Sequence, residues 1–197
     1  FGALWEKVHR VRLAGAAASA PEVGAAWRER FGEFWPPGNY FLAPDEGLRP
    51  GAVVDFRLAV AGGLPLRTGA VVLHADDQSF TLMTLEGHLQ AGWITFGVWD
   101  DAGTPVAEVR SLTRSSDPLC EAGFVLAGHH EQEEFWHRTL EALGRRFGVT
   151  GTPMTSSMCV DPRRQWGRAG NAVQNAGIRT ALDAAAGLVG RLLHPGR

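Results

Sequence analysis

The sequence predicts an α+β fold: a curved antiparallel β-sheet gripping one long α-helix, followed by a C-terminal helical appendage. Three observations carry that expectation. Five short, turn-bounded extended runs follow one another between residues 53 and 114, a period-2 run opens the chain, and a single amphipathic stretch with apolar residues at spacings of 4, 3 and 4 closes the main body. The separators between the extended runs are hairpin chemistry, which favours a meander over parallel units with their long crossovers. Strands in series with helices at the ends place the helices on one face of the sheet.

Taken in order, Trp5 to Leu13 alternates Trp5, Lys7, His9 and Val11 with Glu6, Val8, Arg10 and Arg12, the pattern of a partly exposed strand. Ser19-Ala-Pro-Glu22 then has the residues of a helix start, with a capping serine, a proline in the first turn and the reciprocal carboxylate of a capping box. That helix is expected to reach about Phe34, burying Val23, Trp27, Phe31 and Phe34, and to stop before Pro36-Pro37-Gly38. The extended runs are Val53 to Ala61, Leu66 to His74, Ser79 to Gly87, Trp93 to Trp99 and Val106 to Arg114, which with the first makes six strands. Between them lie Gly62-Gly63, Asp76-Asp77, Ala91-Gly92 and Asp100-Asp101-Ala102-Gly103. The long helix is His129 to Phe147, with Trp136, Leu140, Leu143 and Phe147 forming one apolar stripe for the sheet.

Charge and punctuation divide the chain into 1–149 and 150–197. The first part holds 13 basic and 19 acidic side chains, the second 6 and 2, and a Gly, Thr, Pro and Ser run from Val149 to Ser157 lies at the junction. In the second part Asn171 to Leu193 places Ile178, Leu182, Ala185, Val189 and Leu192 at helical spacing, an Ala-rich helix too thin to stand alone. It is expected to dock on its own body or, as a homodimer contact, on a second copy.

The net charge of −2 removes the simplest case for nucleic-acid binding, so no nucleic-acid partner is expected. No apolar run approaches the roughly 18 residues that span a bilayer, and no leader pattern opens the chain. Two cysteines, Cys120 and Cys159, are too few for a disulfide framework and have no metal-ligand spacing, which points to a reducing, cytoplasmic setting.

The order strand, helix, meander, long helix resembles the START-like (SRPBCC) superfamily over roughly residues 4 to 148. More narrowly, Leu85-Glu86-Gly87-His88, Gly92, Phe96 and Val98, then Glu108-Val109-Arg110-Ser111-Leu112-Thr113-Arg114, look like the signature of an uncharacterised bacterial-type branch of it. The resemblance implies a helix-grip sheet that encloses an apolar cavity. It carries no established activity and no cofactor.

Candidate chemistry is sparse. In His129-His130-Glu131-Gln132-Glu133-Glu134-Phe135-Trp136-His137, the pair Glu134-x-x-His137 has the spacing of half a di-metal site, but a second half is missing. Acidic residues also suit a first helical turn, so the segment reads as a solvated helix N-terminus with no metal. Gly-x-Ser-x-Gly, a phosphate loop and a dinucleotide fingerprint are absent.

A small molecule is expected between the sheet and the long helix. Pairing the last three strands of the meander sorts their side chains into two sets. One is Met83, Leu85, Trp93, Thr95, Gly97, Trp99, Ala107, Val109, Ser111 and Thr113; the other contains Leu82, Glu86, Ile94, Phe96, Val98, Glu108, Arg110 and Arg114. The uncharged first set is assigned to the concave face, although Phe96 argues the other way. Ligand contacts are therefore expected from Met83, Trp93, Thr95, Trp99, Ser111 and Trp136, with Tyr40 of the aromatic loop Phe34 to Phe41 near the mouth, and a large side chain at Gly97 should fill the void. With reversed faces, Glu86 and Arg110 become the pocket anchors. That aromatic loop is a lid, a contact surface or a loop folded over the core. The functional expectation is a non-catalytic binding protein for a hydrophobic or amphipathic molecule, lipid-like or polyketide-like. The alternative is a cyclase-, aromatase- or hydrolase-like enzyme using Glu86, His88 or Arg110, and a third is an interaction module acting through the C-terminal helix.

Overall fold

A computed structural model of the chain describes residues 1–59, 65–180 and 182. Eight antiparallel strands form one sheet: β1 (Leu4–Arg12), β2 (Tyr40–Leu42), β3 (Val53–Ala59), β4 (Pro65–Ala75), β5 (Ser79–Thr84), β6 (Gln90–Asp101), β7 (Thr104–Ser115) and β8 (Met154–Asp161). Their order is β2-β3-β4-β5-β6-β7-β1-β8, so the meander runs in sequence and the first strand joins its far side. Helices α1 (Ala20–Glu29), α2 (Pro118–Gly123) and α3 (His129–Arg146) complete the α+β architecture, with α3 held against the concave face.

Two strands exceed the expected six. β2 lies within the Pro- and Gly-rich loop, and β8 brings part of the C-terminal region back to the sheet by pairing with β1. Helix α1 starts where Ser19 and Glu22 indicate: the Glu22 carboxylate accepts from the Ser19 backbone N–H and hydroxyl, both at 2.7 Å. It ends five residues early, at Glu29, and a 3₁₀ turn over Phe31–Phe34 still delivers Phe31 and Phe34 to the core. There Trp27, Phe31, Phe80 and Phe96 meet at 4.6–6.5 Å, edge to face or stacked except for the tilted pair Trp27–Phe31, geometry that aromatic quadrupoles favour. On α3 the expected stripe is inward, with Trp136, Leu140 and Leu143 buried and Phe147 packed against them.

The sheet faces require a correction. Asp101 pairs with Thr104, leaving a two-residue turn in which both Ala102 (φ 53°) and Gly103 (φ 81°) are left-handed, the requirement of a type I′ hairpin. Odd-numbered residues of β6 therefore lie opposite even-numbered residues of β7, as Thr95 does opposite Arg110 and Ile94 opposite Ser111. The uncharged set is thus divided: Ala107, Val109, Ser111 and Thr113 face inward with Phe96, Val98 and Leu82, whereas Met83, Thr95, Gly97 and Trp99 face outward. The charged residues remain outside. Glu108 bonds both Arg10 and Arg110, and Arg110 also reaches Glu6, so Arg110 is no pocket anchor and Glu86 lies exposed in a turn.

Behind β8, a 3₁₀ helix spans Trp166–Gln174 and α-helical geometry begins at residue 176 rather than 171. Ile178 and Leu182 are both exposed rather than docked as their spacing suggests, while Ala185, Val189 and Leu192 lie outside the described residues. Among the described residues no helix is long and apolar enough to cross a membrane.

Candidate functional site: a cavity between the sheet and the long helix

The concave face and α3 border a partly open cavity of about 550 Å³, within the ~300–1,000 Å³ range of small-molecule pockets. Phe56, Leu66, Ala70, Leu82 and Ile94 from the sheet and Phe135 and Trp136 from α3 make most of its wall apolar. α2 and the π-helical turn Phe124–Gly128 flank it through Leu119, Cys120 and Phe124.

Polar groups are gathered where β6, β7 and the N-terminal turns of α3 converge. Ser111 and Thr113 follow one another on the inward face of β7, and neither hydroxyl has a hydrogen-bond partner among the described residues. The Gln132 amide donates to Gln90 Oε1 at 2.6 Å, and both side chains border the cavity. His88 completes the group. Its Nδ1 lies 3.0 Å from the backbone N–H and carbonyl of Gln90, and burial holds its pKa down at about 4, so the ring is neutral at neutral pH.

Behind this wall Lys7 and His9 of β1 also point inward. Lys7 Nζ donates to His129 Nδ1 at 2.8 Å and to Gln132 Oε1 at 3.1 Å. His9 and His137 share the Thr155 hydroxyl at 2.9 and 2.7 Å. The titratable run at the start of α3 is thereby dispersed: His129 goes to Lys7, His137 to Thr155 and Glu134 to Arg138.

One side of the cavity is bordered by a C-terminal strap, residues 175–178. Asn175 Nδ2 donates to Asp117 Oδ2 at 2.7 Å and lies 3.1 Å from Cys120 Sγ, while its Oδ1 accepts from the N–H of Gly177 at 2.8 Å. Ala176 N–H donates to the Gly87 carbonyl at 2.8 Å. Asp117 Oδ1 in turn caps α2 through the N–H groups of Leu119 and Cys120. Burial, then the Asp117 hydrogen bond, pushes the Cys120 thiol up to about 12, which leaves it protonated and a poor nucleophile. Two substitutions test the strap. Asn175→Ala leaves Asp117 short of a donor, and Gly87→Ala introduces a Cβ at positive φ, 2.5 Å from the Gln174 carbonyl. Each should cost about 2 kcal/mol in urea unfolding, and loss of less than ~0.5 kcal/mol in both would show that the strap is not anchored here.

Of the residues expected from the sequence, Trp93, Ser111 and Trp136 border the cavity. Trp93 does so from an outward-facing position, between Met83 and Leu112, and is 46% exposed. Met83, Thr95 and Trp99 do not border it: Thr95 bonds Thr81 on the outer face at 2.9 Å, and Trp99 lies under the Arg10 guanidinium at 5.7 Å. Tyr40 is 57% exposed on β2, while its neighbours Trp35 and Asn39 supply the contact expected of it. The aromatic loop is folded over the core, with Trp35 packed on Phe56, Phe135 and Trp136. His88, Gln90 and Gln132 were not singled out as cavity groups by the sheet pattern, although Gln132 stands four residues before Trp136 and so shares its helix face. Among Glu86, His88 and Arg110, only His88 reaches the cavity.

The profile of a family described as a domain of unknown function, DUF1990, matches residues 9–142. No curated protein matches. Among solved structures, protein Ms6760 from Mycobacterium smegmatis is similar at a TM-score of 0.53 and 13% identity, covering 74% of this chain and 91% of its own. An uncharacterised protein from Rhizobium leguminosarum gives 0.53 and 12%, with coverage of 75% and 98%. The major latex-like protein 151 of Panax ginseng gives 0.50 and 12%, with coverage of 74% and 99%. At these identities the likeness is one of fold.

Proposed function

This chain belongs to the DUF1990 family of unknown function, and on that premise we propose that it is a non-catalytic binding protein for an apolar or amphipathic small molecule on a START-like (SRPBCC) scaffold. The observation that carries the reading is the cavity itself. It offers an extensive apolar wall and a cluster of hydrogen-bonding groups at one end, the combination that holds a ligand by its hydrophobic body and orients it by its head. The likeness of fold to the latex-like neighbour, which covers 99% of that protein and 74% of this chain, supports the scaffold. The C-terminal strap, held by Asn175 and Gly87 at the cavity's edge, gives the site a closure that belongs to the same chain.

Native mass spectrometry of protein purified without added ligand tests the reading. Retention of a small-molecule mass that denaturing conditions release is the expected result. A bare mass, together with no uptake of an apolar fluorescent probe, would overturn it.

A further inference from the structure

Lys7 is the sole lysine among 19 basic side chains, and β1 buries it on the concave side of the sheet, 7% exposed. A buried ammonium is costly unless a carboxylate compensates it. Here its two partners are neutral acceptors, the imidazole of His129 and the amide oxygen of Gln132. No carboxylate lies within ion-pair distance among the described residues, and Glu133 attracts Lys7 only from farther away. An ammonium has three donors, so one remains beyond these two bonds.

The adjoining cavity wall holds hydroxyls whose donors are unused. Ser111 is the cross-strand partner of Lys7 on the inward face, 2% exposed, and its hydroxyl borders the cavity without a partner among the described residues. Thr113 repeats this two residues along the strand. Gln132 stands between Lys7 and the void, its oxygen on Lys7 and its nitrogen on Gln90. The polar end therefore joins unused hydroxyl donors to one buried cation behind a single rotatable amide, while Glu131, the carboxylate that also borders the cavity, is exposed. A carboxylate is the complementary group, since it only accepts and carries the missing charge.

We propose that the cavity takes a long apolar monocarboxylate, its carboxylate seated on the Ser111 and Thr113 hydroxyls and paired with Lys7 once the Gln132 side chain turns aside. The assignment rests on the reading of the cavity as a ligand site and adds the class of ligand. One cation specifies one negative charge. The apolar wall running from Ile94 and Leu82 to Phe56 then receives the hydrocarbon.

The experiment compares dodecanoate with 1-dodecanol, matched in chain and differing in head group, as competitors of an uncharged apolar fluorophore bound to the full chain. Dodecanoate is expected to displace the fluorophore at a concentration at least about tenfold lower, the gain of a charge-assisted pair. Lys7→Met, whose linear side chain fits the same space, should bring that ratio to about one, with circular dichroism and melting reporting the fold. Equal or better competition by the alcohol on the unaltered protein overturns the assignment while leaving the cavity as a ligand site. Failure of the fluorophore and both competitors to bind overturns both. An undiminished ratio in a folded Lys7→Met variant shows that a different group holds the carboxylate and overturns the role of Lys7.

Discussion

Ala70→Trp should lower the affinity for an apolar fluorescent probe by about a hundredfold, equivalent to about 2.7 kcal/mol, with little loss of stability. Ala70 lies midway along β4 between Val54 and Thr84, and its methyl borders the cavity. Enlarging a side chain in a packed core typically costs ~1–3 kcal/mol in strain. At the edge of a void the same change instead buries new apolar area and occupies the ligand's space. The control is Gly97→Leu. Gly97 faces outward, and a Cβ there meets only Gln78 O and Ser79 Cβ at 3.7 Å, ordinary contact distances. Probe binding should be unchanged in that variant. Titration of both folded variants decides: equal loss, or loss only at Gly97, would show that the inward face has been misassigned.

The fate of Gly97 shows where the sequence is ambiguous. Helical stripes are robust because several residues must agree, and Val23, Trp27, Trp136, Leu140 and Leu143 are all buried as their spacing indicates. A strand face depends on a single count across each turn. Grouping odd residues of β6 with odd residues of β7 requires an odd number of residues in the Asp100-Asp101-Ala102-Gly103 turn, and the two-residue turn at Ala102-Gly103 reverses every partner on β7. β8 was hidden for a different reason. Thr155, Ser157 and Cys159 lie opposite His9, Lys7 and Trp5, but only Thr155 is partly covered and bonds a buried group, His9, while Met154 and Met158 face solvent. An edge strand that satisfies buried polar groups carries no apolar alternation. The site was legible to the same degree. Ser111 and Trp136 follow from strand and helix periodicity, whereas His88 and Gln90 arrive through a turn that residues 85–89 alone do not specify. The motif residues Gly87, Gly92 and Glu108 have local structural roles: Gly87 and Gly92 sit at positive φ against neighbouring backbone, and Glu108 bonds two arginines.

Acid should destabilise this protein well above the usual carboxylate range, because of His9. The ring is 0% exposed, its Nδ1 is on the Thr155 hydroxyl, and its Nε2 has no partner among the described residues. Burial, reinforced by His137 and Lys7 and opposed by Glu133, lowers its pKa to about 4. In the unfolded chain the same histidine titrates near pH 6.5. Between those values the unfolded state binds more protons than the folded one, so stability rises with pH across that window. It is therefore complete above about pH 6.5 and is lost progressively as the pH falls toward about 4. The shift corresponds to about 3 kcal/mol for His9, a large fraction of the ~5–15 kcal/mol typical of a domain. His88, also held near 4 by burial, acts in the same direction. Asp117 extends the loss to lower pH: burial opposes its ionisation, but donors from Cys120, Asn175 and Leu119 prevail and hold its pKa below the ordinary carboxylate value. Its contribution is present above about pH 4 and lost below it. Urea midpoints measured at intervals from about pH 7 to about pH 4 should fall steeply, and His9→Leu should remove roughly half of that slope while eliminating the unpartnered nitrogen. Stability that stays flat to about pH 5, or a slope untouched by His9→Leu, would mean that His9 is solvated and protonated in the folded protein.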